Sequence, residues 1–246
     1  APGVRPGDPY PYQDQTNPFA DLLDAWRPRV EARRQAGLGG DQGLLGTDNA
    51  FVAGTTSIQA ADADGWVVSI TPSGGWVPAF IAGDTGIGLS QRMQSFDLNR
   101  NDNPFNVLEP GKRPRATLSP GLAMRNGQPY LSFAAQGGDT QDQNLLQVFL
   151  NVVEFGMDIQ QAVEAANINS YQMHGSFGGR RTAAPGRIIV RSDTPAQVVE
   201  QLRGMDYAVE GRQKTSGPIN AIFFDQEHGT LWGGSSDFGD DYGLAW

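Results

Sequence analysis

Cysteine is absent and histidine nearly so, with only His174 and His228 in 246 residues. The first absence removes disulfides, thiolate nucleophiles and thiolate zinc sites; the second leaves too few imidazoles for a histidine-rich metal centre. Positive charge is also scarce, since 18 Lys and Arg stand against 27 Asp and Glu for a formal net charge of -9. Nucleic-acid backbones and anionic membranes need concentrated positive charge, so neither is an expected partner. No apolar run reaches the length of a membrane span, and membrane insertion is not expected. The start, Ala1-Pro2-Gly3-Val4-Arg5-Pro6, has no Met and no apolar signal core, as a processed or trimmed chain would.

Glycine and proline are plentiful, 32 and 16 residues, and the short apolar runs between them predict strands as well as helices. Residues 1–16 carry Pro2, Pro6, Pro9 and Pro11 and read as an extended arm. Asn17 and Pro18 then suit a helix start, with Phe19, Leu22, Leu23 and Trp26 at helical spacing. Gly37, Gly39, Gly40, Gly43 and Gly46 open a flexible linker to about Asn49. The chain therefore divides into 1–54, an arm, helix and glycine-rich linker, and 55–246, a folded domain. In that domain Thr56–Ala61 and Trp66–Thr71 flank the turn Asp62-Ala63-Asp64-Gly65, and Gly121–Arg125 and Pro129–Ala135 flank Asn126-Gly127. Leu145, Leu146, Phe149, Val152 and Val153 mark a helix ending near Gly156, and Asp158 caps a shorter one through Ala162, Val163 and Ala166. A strand over 186–191, a helix after Asp193-Thr194-Pro195 and a hairpin of Ala221–Phe224 with Thr230–Trp232 complete the pattern. Strands, then helices, then strands imply sheets packed face to face with helices outside.

A nucleophile in such a chain must be Ser, Thr, Lys or a carboxylate. A Thr at a new N-terminus needs no partner histidine, because its α-amine, with an ordinary pKa of roughly 8, can take the hydroxyl proton. Gly54-Thr55-Thr56-Ser57 stands where the linker gives way to the first strand, although three hydroxyl residues at a strand start are most often structural.

From Thr55 onward the sequence resembles the γ-glutamyltranspeptidases and related acylases of the N-terminal nucleophile hydrolase class. The resemblance lies in Thr55-Thr56 before a strand, Asp62-Ala63-Asp64-Gly65, the glycine-bearing segment Ile81–Leu89, and Arg92-Met93-Gln94-Ser95-Phe96. It continues through Pro110-Gly111-Lys112-Arg113-Pro114, Leu118-Ser119-Pro120, Gln136-Gly137-Gly138 and Gly234-Ser235-Ser236-Asp237, in the family's order. It implies an α+β fold, a four-layer αββα sandwich. It also implies an amide hydrolase or acyltransferase matured by self-cleavage between Gly54 and Thr55, with Thr55 as nucleophile and Ser73 orienting it. Gly137 and Gly138 would supply the oxyanion hole; on their residues alone they read as a tight turn after the strand ending at Ala135. Thr117 keeps a hydroxyl at one of two family Ser positions, and Ala116 replaces the other.

The positions that hold the amino and carboxyl groups of glutamate in the family are different here, namely Gly75, Arg92 and Ser95 in place of Asn, Gln and Asp. Loss of the Asp argues against a free α-amine on the acyl group. Arg92 either points into the pocket to clamp a carboxylate or is a surface or interface residue, and Trp76 is either a pocket wall or core. His174 and His228 match no catalytic position. Asp237, Asp240 and Asp241 read as solvated rather than as a cation site.

The resemblance implies no cofactor. The partners it implies are a small-molecule amide substrate and a large subunit from the same precursor, in a heterodimer or a dimer of heterodimers. Localisation stays open between an exported compartment and the cytoplasm. The rival readings are a non-catalytic, uncleaved binding or scaffold subunit, and a true γ-glutamyl transferase with a rearranged pocket.

Overall fold

The computed structural model describes residues 54–74, 80–98, 105–171, 176, 184 and 186–245. The arm, helix and linker of 1–54 (apart from Gly54), together with Gly75, Trp76 and His174, lie outside them.

Strands β1 (Ile58–Ala61) and β2 (Val67–Ile70) form an antiparallel hairpin. Its turn closes because one Asp62 carboxylate oxygen accepts the N–H groups of Asp64 and Trp66 at 3.0 and 2.9 Å, and Gly65 takes a φ of 89°. A second hairpin joins β3 (Gly121–Arg125) to β4 (Gln128–Ala135), with Asn126 and Gly127 both at positive φ. β4 pairs in turn with β8 (Ile219–Asp225) and β8 with β9 (Thr230–Ser235), giving a four-stranded sheet in the order β3-β4-β8-β9. The last hairpin thus matches its predicted position with longer strands.

The two faces of this sheet do different work. Leu131, Ala135, Ile219 and Ala221 turn to α1 (Gln141–Val153) and α2 (Ile159–Glu164) and join Leu145, Val148, Val152, Ile159, Ala162 and Val163 in one buried cluster. Each Leu, Ile or Val sequestered there contributes about 1.5–3 kcal/mol. This makes the helix-facing side the fixed base of the domain. Asp158 caps α2, accepting the Gln161 N–H at 2.8 Å while the Gln161 side chain reaches back to the Asp158 N–H. Gly234 of β9 also faces the helices, and a Cβ there would lie 3.0 Å from the Ile159 carbonyl oxygen.

The alternate residues of β4 and β8 face the first hairpin, as the period of a strand requires. Ser132 donates to the Gln59 side chain, and Asn220 donates to Ser57 Oγ at 3.1 Å while accepting from Ser235 Oγ at 3.1 Å. Helix pair, four-stranded sheet and hairpin are therefore three successive layers of the expected α+β sandwich.

A separate sheet contains β5 (Ile168–Ser170), β6 (Arg187–Arg191) and β7 (Ala208–Arg212), with β6 central. β6 and β7 run parallel, connected through α3 (Ala196–Gly204). Neither β5 nor β7 is among the predicted strands. Ile81–Leu89 forms only a single bridge between Ile81 and Gly88 around turns at Gly83 and Gly86, both at positive φ.

Candidate active site

Thr55 forms an isolated antiparallel bridge with Ser73 at the open end of the first hairpin. The Thr56 N–H donates to the Pro72 carbonyl at 3.1 Å and the Gly74 N–H to the Gly54 carbonyl at 3.3 Å. Bonds that flank the pair in this way make it the narrow, non-hydrogen-bonded kind, in which facing side chains come closest. The consequence is a direct contact: Thr55 Oγ1 donates to Ser73 Oγ at 2.9 Å. Donating its proton to Ser73 leaves the lone pairs of Thr55 Oγ1 uncommitted by this contact. Gly54, with a φ of 89°, makes the bend that delivers the chain into this bridge.

Arg92 opens a short 3₁₀ turn, Arg92–Ser95, and its side chain is buried. Its guanidinium donates to Ser73 Oγ at 3.2 Å and to Thr117 Oγ1 at 3.3 Å. The side chain is thus packed against two hydroxyls rather than spread on the surface. Burial pulls the guanidinium below its ordinary pKa range, and the negative charge of Asp139 opposes that fall. Ser73 is thus the common acceptor of the Thr55 hydroxyl and the Arg92 cation. Ser95, at the end of the same turn, is buried, and its carbonyl accepts from the Asn106 side chain at 2.6 Å.

Gly137 and Gly138 follow β4 after the single residue Gln136, with φ values of 133° and 58° that favour glycine at both positions. The Gly137 carbonyl is tied down by the Thr140 N–H at 3.2 Å and the Thr140 hydroxyl at 3.0 Å. Neither glycine N–H has an acceptor among the described residues. The register across the sandwich relates this turn to Thr55. Gln59 meets Ser132, and Ser57 meets Asn220, the partner of Ala134 in β8. Continued two residues back along the hairpin, this register runs from Ser57 toward Thr55 and, on the facing strand, from Ala134 toward Gln136 and the glycine turn.

Two contributors escape the sequence reading. Asp139 accepts both the N–H of Ser176, at 2.7 Å, and its hydroxyl, and receives Arg115 at 3.4 Å, so it anchors the glycine turn from behind. Its only sequence signal is its place after the glycine pair. Gly74, whose N–H donates to the Gly54 carbonyl, is the other. His228 is exposed and pairs with Asp225 at 2.8 Å. Asp241 departs from the solvated reading: it is partly buried and accepts from Ser236 Oγ at 3.1 Å, and burial raises its pKa. Among the described residues no group of three or more His, Asp or Glu could hold a metal ion, and no helix is long and apolar enough to cross a membrane.

Comparison with known proteins places these features in a wider set. The profile of the Gamma-glutamyltranspeptidase family matches residues 34–245. A glutathione hydrolase proenzyme of Bacillus subtilis is 27% identical over 236 residues, which is 93% of this chain and 33% of that protein. The glutathione hydrolase-like YwrD proenzyme of the same organism is 36% identical over 121 residues, 48% of this chain and 22% of the relative. The crystal structure of a cephalosporin acylase from Bacillus halodurans superposes with a TM-score of 0.66 at 27% identity, covering 77% of this chain and 34% of that one. The chain thus spans about a third or less of the length of these relatives.

Proposed function

This chain belongs to the gamma-glutamyltranspeptidase family of hydrolases and transferases, and from that premise we propose that it carries the nucleophile of an amide hydrolase or acyltransferase, Thr55. In this reading the Gly54–Thr55 bond is cut by the chain itself, and the freed amine of Thr55 becomes the general base for its own hydroxyl. Thr55 Oγ1 then attacks the substrate carbonyl, the amine leaves with a proton, and water or an amine acceptor resolves the ester. The Gly137 and Gly138 N–H groups hold the oxyanion in both steps, an interaction commonly worth about 3–4 kcal/mol per donor. The observation that carries the reading is the 2.9 Å hydrogen bond from Thr55 to Ser73 on the first residue after Gly54.

Arg92 bears on the acyl group. Its guanidinium lies one hydroxyl away from the nucleophile, and Ser95 supplies no charge to balance a substrate ammonium. A carboxylate on an acyl chain without an α-amine fits this setting best. A large subunit from the same precursor, as the proenzyme names of the relatives suggest, would complete the pocket.

Intact-mass measurement and N-terminal sequencing of the full precursor, beside a Thr55→Ala variant, test the nucleophile. The expected result is a fragment beginning at Thr55 that the variant lacks; a precursor that stays whole favours the uncleaved scaffold reading. On the cut enzyme, a glutaryl anilide should turn over faster than a γ-glutamyl anilide. The reverse order, unaltered by Arg92→Gln, would restore a true γ-glutamyl transferase.

A further inference from the structure

We propose that the Gly74 N–H is the oxyanion donor for self-cleavage, a task separate from that of Gly137 and Gly138 in turnover. The inference rests on the reading of Thr55 as a self-cleaving nucleophile.

Self-cleavage has its own electrophile, the Gly54 carbonyl carbon, and therefore its own oxyanion, on the Gly54 carbonyl oxygen. That oxygen already accepts the Gly74 N–H at 3.3 Å. The contact follows from register: because Thr55 and Ser73 form the narrow pair, the ladder bond beside them must run from residue 74 to residue 54. The same pairing that sets Thr55 against Ser73 thus places a donor on the bond to be broken. Ladder bonds lie in the plane of the hairpin, with strands about 4.8 Å apart, whereas a facing sheet lies about 10 Å away. The Gly54 oxygen is accordingly aimed along its own hairpin and not at the glycine turn of the opposing sheet.

The length of the bond favours the proposal. An amide hydrogen bond is most common at about 2.9–3.0 Å, so 3.3 Å is long for a neutral carbonyl. As Thr55 Oγ1 attacks, the carbonyl π pair moves onto oxygen and the hydroxyl proton is given up to water. A charge-assisted bond is shorter and roughly twice as strong as a neutral one. The contact therefore has room to tighten in the transition state, which is the condition for an interaction to accelerate a step. Collapse breaks the Gly54–Thr55 C–N bond, the nitrogen takes a proton, and an ester joins Gly54 to Thr55 Oγ1. Water adds to the same carbon, placing charge on the same oxygen, and releases the Gly54 carboxylate and the Thr55 hydroxyl.

The test deletes one atom group without touching a side chain. Gly74 is replaced by glycolic acid in the full precursor, made by cell-free translation, so that its N–H becomes an ester oxygen. A second precursor carries the α-hydroxy analogue of threonine at position 56 and loses the Thr56 donor to Pro72, on the other side of the same pair. Appearance of the fragment beginning at Thr55 is followed by intact mass. Expected are cleavage about a hundredfold slower with glycolate at 74 and a rate within a few-fold of native for the position-56 ester. Equal slowing of both would reduce Gly74 to holding the strands together, and a native rate with glycolate at 74 would remove its role altogether; either overturns the proposal. If the all-amide precursor never cuts at Gly54–Thr55, it is the nucleophile reading that fails, and this inference falls with it.

Discussion

Ser73→Ala removes the acceptor that two donors share, and its consequences separate into a structural and a chemical part. Ser73 Oγ takes the Thr55 hydroxyl at 2.9 Å and an Arg92 N–H at 3.2 Å. Orphaning a buried donor costs about 1–3 kcal/mol. Arg92 keeps Thr117, so the lower part of that range applies, about 1–2 kcal/mol. For a domain of this size each kcal/mol lowers Tm by roughly 2–4 °C, giving an expected fall of about 2–8 °C. The chemical part is the loss of one neutral hydrogen bond orienting Thr55, about 1 kcal/mol, or about fivefold in the cleavage rate. Time-resolved intact mass on the precursor reads the rate and calorimetry reads Tm. Ser73→Thr keeps the hydroxyl and should return both toward native. In an Arg92→Met background the Tm cost of Ser73→Ala should shrink, because no buried guanidinium is left to orphan, and the cycle then shows a coupling of 0.5 kcal/mol or more on the usual scale. Native cleavage in Ser73→Ala would refute the orienting role of this hydroxyl. Additive Tm effects in the double variant would refute the Arg92–Ser73 contact.

Other expectations follow from the same contacts. Gly234→Ala sets a Cβ 3.0 Å from the Ile159 carbonyl oxygen and 3.1 Å from its Cγ1; the urea midpoint should fall by the equivalent of about 1–3 kcal/mol at an unchanged m-value. The Asp241 carboxyl has its pKa raised by burial, so its contribution to stability is fully present below the unfolded value of 3.8 and is lost as pH rises through the higher folded value. Asp241→Asn should therefore raise Tm at pH 7, with the gain vanishing as melting is repeated below pH 3.8. Asp139→Ala frees the glycine turn from Ser176 and Arg115. Steady-state kinetics of the matured enzyme on an anilide should show kcat lowered about tenfold with little change in KM, as expected when oxyanion donors are displaced.

The hairpins were legible because their turns carry chemistry of their own: Asp62 with Gly65, and Asn126-Gly127, specify a bend without outside help. Asp158 before an apolar run marked α2 for the same reason. β5 and β7 were not legible, because what holds them is distant. Asn169 of β5 donates to the Thr215 carbonyl, and Glu210 of β7 pairs with Arg187 at 2.8 Å. A local window sees mostly polar residues there, with only Ile168, Ala208 and Val209 apolar. At the site, Thr55, Ser73, Gly137 and Gly138 stood out through the resemblance rather than through spacing. The direction of Arg92 could not be read at all, since its hydroxyl partners are 19 and 25 residues away. Asp139 resembled any acidic residue after a turn until Ser176 and Arg115 were seen to converge on it.

Chain ends ordinarily fray, because nothing precedes them to share the cost of order. A cut at Gly54–Thr55 would make an end of another kind. The Gly54 side of the bridge would be free to leave, while the Thr56 N–H keeps its bond to the Pro72 carbonyl at 3.1 Å and Thr55 keeps Ser73. The new terminus would be born already seated, one residue from a ladder bond that the cut does not touch. Such an enzyme acquires a reactive amine without acquiring a loose tail, and its working geometry is assembled before the chemistry that reveals it.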